Sequence, residues 1–239
     1  VLSSDPQNAE VISLKGSVLS LQGNFDQAEA LLRMAVEIEP DTEGFWLNLA
    51  DYYIRRQKPE EACKLLSDNI PSQSTYIPVW QCLYQAAMQA NNLDYAVLGL
   101  ERMLAAEYNF KTLISLSQLL VRQKQLDRAI QLFNQYQSSA ENERTYWFAL
   151  CWLLDSARAW EGLMDTANQW LAKFKDDKDA YRFLASSHFE LGQQHDAISL
   201  YEKLLELPVN NAQEQQKQIE DLANYAELCV SSLELHRGL

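Results

Sequence analysis

Small residues return along this 239-residue chain at an interval that no single helix or sheet accounts for. With Ala62 as the anchor, comparable alanines inside amphipathic stretches fall at Ala28, Ala96, Ala129, Ala167 and Ala197, so the spacings in chain order are 34, 34, 33, 38 and 30 residues. Self-similarity at such a period marks an array of supersecondary units, each too small to bury its own apolar face and completed by its neighbours. The last two spacings depart from 34 by four residues in opposite directions, which one extra helical turn in the fifth unit would produce. The expectation is a first helix there running from near Glu143 to near Trp160.

A second signature lies upstream of each anchor. Trp46, Trp80, Trp147 and Tyr181 open it, Leu49, Leu83, Leu150 and Leu184 follow three residues later, and Ala50, Cys151, Ala185 and, in the first unit, Gly16 supply small residues. Apolar side chains at i, i+3, i+4 and i+7 line one face of a helix, and small ones allow a second helix to approach closely. Short polar stretches separate the two amphipathic segments: QGN at 22–24, QKP at 57–59, NN at 91–92, QKQ at 123–125 and LGQQ at 191–194. Each unit therefore reads as helix, tight turn, helix. With 47% hydrophobic residues but only seven glycines and six prolines, the composition supplies core for helices and little material for hairpin strands.

The pattern resembles the tetratricopeptide repeat. Unit 9–42 supplies Leu19, Gly23, Ala28, Leu32, Ala35 and Pro40, and unit 43–76 supplies Trp46, Leu49, Ala50, Tyr53, Ala62 and Leu66. The resemblance continues through units 77–109, 110–143, 144–177 and 178–211, and it implies an all-α, right-handed superhelix forming a single solenoid domain over residues 1–239. Residues 212–236 read as one more amphipathic helix without a mate, expected to cap the array with a polar outer face. The signature residues themselves are read as core.

Chemistry is not legible. His188, His195 and His236 are scattered, and no nucleotide-binding, zinc-protease or nucleophile-elbow motif occurs, so no catalytic residue, metal site or cofactor is expected. The charged stretch KFKDDKD at 173–179 lacks the glycine and closing glutamate of a calcium loop and reads as a solvated turn. A net charge of -13 argues against nucleic acid, and no apolar run is long enough to insert in a membrane. Cys63, Cys82, Cys151 and Cys229 show no ligand spacing and read as small core residues. Unpaired cysteines suit a reducing compartment such as the cytoplasm, while a chain that does not start with Met is also compatible with a fragment of a periplasmic protein.

In the family, the first helices of the units line a concave groove that receives an extended peptide or a helix. Residues 2, 5, 9, 12 and 13 of each unit fall on the side away from the core signature. On that basis the candidate partner-binding residues are Asp51 and Arg55, Gln85 and Met88, Gln118 and Arg122, Trp152, then Arg182 and Phe189. Trp152 stands out because it reaches the groove face whether the fifth unit is counted from Trp147 or back from Ala167, and it is expected beside Arg122 and Arg182. One subclass of the family clamps the acidic C-terminus of chaperones, but of the corresponding positions Ser13, Ser17, Asn48, Pro78 and Cys82 only Asn48 matches. The sequence thus points to a non-catalytic module that binds a peptide or helical segment as an adaptor or assembly scaffold. The alternatives are an accessory segment of a larger enzyme, secretion machine or transcription regulator, or a bacterial envelope scaffold for polysaccharide or pilus assembly.

Overall fold

The computed structural model describes the backbone of residues 8–209 and 211–237, and the side chains of these residues as far as 230. Among the described residues every regular element is a helix. The chain divides into two compact units between Lys124 and Gln125. The first holds α1 (Ala9–Leu21), α2 (Phe25–Ile38), α3 (Glu43–Arg55), α4 (Pro59–Asn69), α5 (Ile77–Gln89), α6 (Leu93–Ala106) and α7 (Phe110–Arg122). The second holds α8 (Leu126–Gln135), α9 (Gln137–Ala140), α10 (Arg144–Ser156), α11 (Trp160–Lys173), α12 (Lys178–Glu190), α13 (Gln194–Glu206) and α14 (Ala212–Arg237).

The helices that begin repeats, α1, α3, α5, α7, α10 and α12, are each 13 residues long. They start at Ala9, Glu43, Ile77, Phe110, Arg144 and Lys178, in step with the repeat boundaries read from the sequence. The fifth unit departs from expectation. Its first helix, α10, stops at Ser156 and carries no additional turn. The residue of α11 that matches Ala28, Ala62, Ala96, Ala129 and Ala197 is Leu163, fully buried and 34 residues from both Ala129 and Ala197. Ala167 lies one turn further on, where the other units place Leu32, Leu66, Leu100, Phe133 and Tyr201. Small and large have changed places along one buried face, and a swap that conserves volume leaves the packing intact. A second departure lies in the fourth unit, where the helix after the turn is interrupted at Tyr136, whose N–H is shared between the carbonyls of Leu132 and Phe133.

The turns inside the repeats follow one rule. Gly23, Gln57, Asn91, Lys124, Arg158 and Gly192, the middle residues of successive three-residue turns, all adopt left-handed backbone conformations with φ between 52° and 81°. This geometry closes the first helix: Asn24 N–H bonds the carbonyl of Leu19, Lys58 that of Tyr53, Asn92 that of Ala87, Ala159 that of Leu154 and Gln193 that of His188, at 2.8–2.9 Å. These six-to-one bonds satisfy carbonyls that a helix end otherwise leaves open. Connections between repeats vary instead. α4 ends at Asn69 because Pro71 holds Ile70 extended at ψ 126°, and seven residues follow before α5.

Inside the first unit α1 packs on α2, α3 on α4 and α5 on α6, while in the second α10 packs on α11 and α12 on α13. A Cβ added to Gly16 would lie 2.8 Å from Leu32 Cγ, so α1 and α2 meet where only hydrogen fits. In the third repeat the small residue sits on the opposite helix: α5 carries Tyr84 and α6 answers with Gly99, whose added Cβ would come within 3.2 Å of Tyr84 Cβ. The tryptophans that open the signature have a second role. Trp46, Trp80 and Trp147 donate their indole N–H groups to the carbonyls of Pro40, Ser74 and Glu141, six residues earlier in each case, at 2.7, 2.9 and 2.7 Å. Each ring thereby fastens the connection leading into its helix.

Helix α14 covers the span expected of the terminal helix and extends to Arg237, twice the length of the helices that begin the other repeats. It packs on α13. Leu228 joins Ala185, Ala197, Tyr201 and Leu204 in one buried cluster, with Tyr225 against it. Its outward side is not the polar surface expected, since it exposes Ile219, Leu222 and Val230.

Candidate functional site

Counting each first helix from its opening residue, positions 2, 5, 9, 12 and 13 carry the candidate side chains. In the first unit this face is mixed, with Leu21 at position 13 of α1 exposed, and its polar groups are partly engaged. Asp51 accepts from Arg55 Nε at 2.7 Å, one turn along α3. Gln85, Gln118 and Arg122 are exposed, and Met88 is the exposed apolar residue among them. Ser13, at position 5 of α1, is buried and accepts from Asn48 Nδ2 of α3 at 2.9 Å. Asn48, which matches the chaperone clamp when the count starts from the first unit, is thus turned toward a neighbouring helix.

The second unit differs. Its register, fixed by Arg144 and Leu163, puts Trp152 at position 9 of α10, and the side chain is 45% exposed while Trp80, Trp147 and Trp170 are 2% or less. Phe189, at position 12 of α12, is also exposed. It lines a cavity of about 190 Å³ among α12, α13 and α14, with Ala185, Tyr201 and Leu228 as apolar wall and Asn224 and Glu227 as polar members.

Electrostatics in this unit separate two clusters. Asp155, at position 12 of α10, titrates above the ordinary carboxylate value because it is partly desolvated and because Glu190 of α12 lies close enough to repel its charge. The other cluster is neutralised internally. Arg182 donates to both oxygens of Asp221 on α14, each at 2.8 Å, and to Asp179 at 2.6 Å. Arg144 bonds Asp177 and Asp179 at 2.7 and 2.8 Å, Lys217 lies 3.4 Å from Asp179, and Lys178 reaches Glu214 at 3.1 Å. Burial alone would raise Asp179, yet Arg144, Lys217 and Arg182 hold it below the usual carboxylate range. Arg182 therefore ties α12 to α14. The pair Asp155 and Glu190 was invisible to a count of single residues, because it joins position 12 of one repeat to position 13 of the next.

Burial raises the Cys63 thiol to about 11 and the Cys82 thiol to about 12, as expected of cysteines used as core. Among the described residues no group of three His, Cys, Asp or Glu side chains could hold a metal ion, and no helix is long and apolar enough to cross a membrane.

Comparison with known proteins agrees with this architecture. Residues 19–81 match a tetratricopeptide repeat family profile, and residues 184–207 match a second profile of the same repeat. No curated protein matches the sequence. Among solved structures, a chain of Naa15/Naa10 bound to HypK-THB superposes with a TM-score of 0.61 at 17% identity, over 91% of this chain and 34% of that one. This chain thus spans about a third of that relative's length. YrrB, described as a TPR protein with an unusual peptide-binding site, superposes with a TM-score of 0.50 at 14% identity, over 81% of this chain and 96% of its own. Residues 19–81 and 184–207 match tetratricopeptide repeats, and hairpins repeating every 33 or 34 residues give the described residues the same all-α repeat fold.

Proposed function

We propose that this protein is a non-catalytic interaction module that receives a peptide or helical segment of a partner protein along the face formed by positions 2, 5, 9, 12 and 13, and so acts as an adaptor or assembly scaffold. The observation that carries the reading is the exposure of Trp152 in a chain that buries Trp80, Trp147 and Trp170. A rigid amphipathic ring loses little conformational freedom on binding, and such side chains dominate interface energies. Near it, Asp155 and Glu190 repel one another, and a Lys or Arg on the partner would relieve that repulsion. The partner segment is accordingly apolar at one residue and basic at a neighbouring one. Peptides with an acidic C-terminus fall outside this specificity. The peptide-binding site in YrrB's description supports the general mode. The placement of a similar chain in the Naa15/Naa10 complex supports a second reading, an accessory segment of a larger assembly.

A photo-crosslinking residue at position 152 identifies the partner segment, and calorimetry with that segment measures the contact. Trp152→Ala is expected to weaken binding at least about tenfold, equivalent to ~1.4 kcal/mol, while the helical signal and melting temperature stay nearly unchanged. Binding should also weaken as falling pH protonates Asp155, beginning above the ordinary carboxylate range. A melting temperature many degrees lower for Trp152→Ala would make Trp152 a packing residue and remove the reading's foundation.

A further inference from the structure

Two pairs of consecutive first helices meet in one register: position 5 of α1 bonds position 6 of α3, Ser13 with Asn48, and position 5 of α10 packs on position 6 of α12, Phe148 on Phe183. Between α12 and α14 the register slips. Arg182, at position 5 of α12, holds Asp221, which is position 10 of α14 counted from Ala212, so the offset is larger by about one turn. The cavity of about 190 Å³ among α12, α13 and α14 lies at this slipped junction. Ala185, Tyr201 and Leu228 are buried and form its floor, whereas Phe189 and Asn224 are exposed and Ser186 half-buried, so these three form its rim. Glu227, also on the rim, has an interaction of its own.

We propose that this cavity takes one apolar side chain, up to the size of a phenyl ring, from the same partner segment that Trp152 anchors, four residues along it in an extended chain. This second anchor rests on the reading of Trp152 as the first. Size sets the class of occupant: an apolar cavity of about 150 Å³ admits benzene, so this one has room for the side chain of Leu, Ile, Met or Phe. Position ties it to Trp152. Phe189 stands on the rim, and the next residue, Glu190, lies near Asp155, three residues from Trp152 on α10. From α10 to the gap beyond α12 is one and a half spacings between packed helices, about 12–15 Å. An extended chain rises about 3.3 Å per residue and turns alternate side chains to one side, so four residues span about 13 Å. The first, third and fifth side chains then meet Trp152, the Asp155 and Glu190 pair, and the cavity. The segment accordingly carries an apolar, a basic and a second apolar residue at alternate positions.

The test uses a fluorescein-labelled peptide, Gly-Phe-Ser-Arg-Ser-Leu-Gly with blocked ends, and its reversed sequence, which between them cover both chain directions. Anisotropy titration against the full chain should show saturable binding of one of the two, weakened at least about tenfold when Ala replaces Leu in the peptide and equally by Trp152→Ala in the protein. Ser186→Phe and Asn224→Phe fill the cavity from different sides of its rim, and each, once circular dichroism shows an unchanged helix signal, should weaken binding to the same extent. In either filled variant, the exchange of Leu for Ala in the peptide should have no further effect, a non-additivity that contact elsewhere on the surface does not produce. Binding that needs Trp152 but is indifferent to the peptide Leu and to both filled variants overturns the cavity as a site and leaves the reading of Trp152 standing. Binding lost in the filled variants but untouched by Trp152→Ala overturns that reading and leaves the cavity as the anchor. No saturable binding of either peptide overturns the cavity's assignment, while the reading of Trp152 is judged separately by the segment crosslinked at position 152.

Discussion

The two compact units join consecutive first helices at the same repeat positions with opposite chemistry. In the first unit, position 5 of α1 meets position 6 of α3 as a hydrogen bond between Ser13 and Asn48. In the second, position 5 of α10 meets position 6 of α12 as Phe148 against Phe183, edge to face with centroids 5.7 Å apart, and Trp170 of α11 lies under both. The repeat backbone decides which two side chains meet, and the sequence is then free to choose between a directional bond and a large apolar contact. The apolar version removes more surface from water. Its loss should therefore cost more.

The sharpest way to break this contrast is Trp170→Ala, which removes a fully buried ring from the aromatic junction and is expected to destabilise by about 3–5 kcal/mol in urea unfolding. Next comes acid. Asp179 titrates below its unfolded value, so it contributes stability that is complete above the unfolded carboxylate pKa and is lost as pH falls through the folded one. Arg182→Leu should flatten the acid limb of the stability profile below about pH 4, and an unchanged limb would show that the ion cluster between α12 and α14 adds nothing. Asn48→Ala, the polar counterpart of the first test, leaves Ser13 buried without its donor and should cost about 1 kcal/mol. If Asn48→Ala matched Trp170→Ala, the distinction between the junctions would be empty. The smallest effect is a gain. Gln57→Gly and Arg158→Gly, one in each unit, relieve a side chain held at φ 57° or 55° and should each stabilise by roughly 0.5–1 kcal/mol.

Helix boundaries were legible because the turns demand polar and left-handed-tolerant residues at fixed places, and Gly23, Asn91 and Gly192 announce them. In the fifth unit the alanine does not mark the anchor position, which Leu163 fills. The physical requirement at Leu163 and Ala167 is a total volume on one face, and a Leu–Ala order satisfies it as well as Ala–Leu. The distance of 34 residues from Leu163 to each flanking anchor was the available signal. Exposure of Trp152 was readable from helical geometry alone. The engagement of Arg182 was not, because its partner Asp221 lies 39 residues away on a helix whose rotation follows from packing on α13. The apolar outer side of α14 is legible in the helical spacing of Ile219, Leu222, Ala226 and Val230.

The fixed three-residue turns carry a consequence for how the chain comes into being. Helices within a pair are neighbours in sequence, so most contacts close short loops, and structures of low contact order form in microseconds to milliseconds. Translation at roughly 5–20 residues per second needs seconds to deliver one repeat. Each hairpin thus has ample time to zip before its successor leaves the ribosome, and the apolar surface left waiting at any moment is about one helix face. The growing chain meets the cell as a series of nearly finished pieces, with the freshest edge always the last helix made.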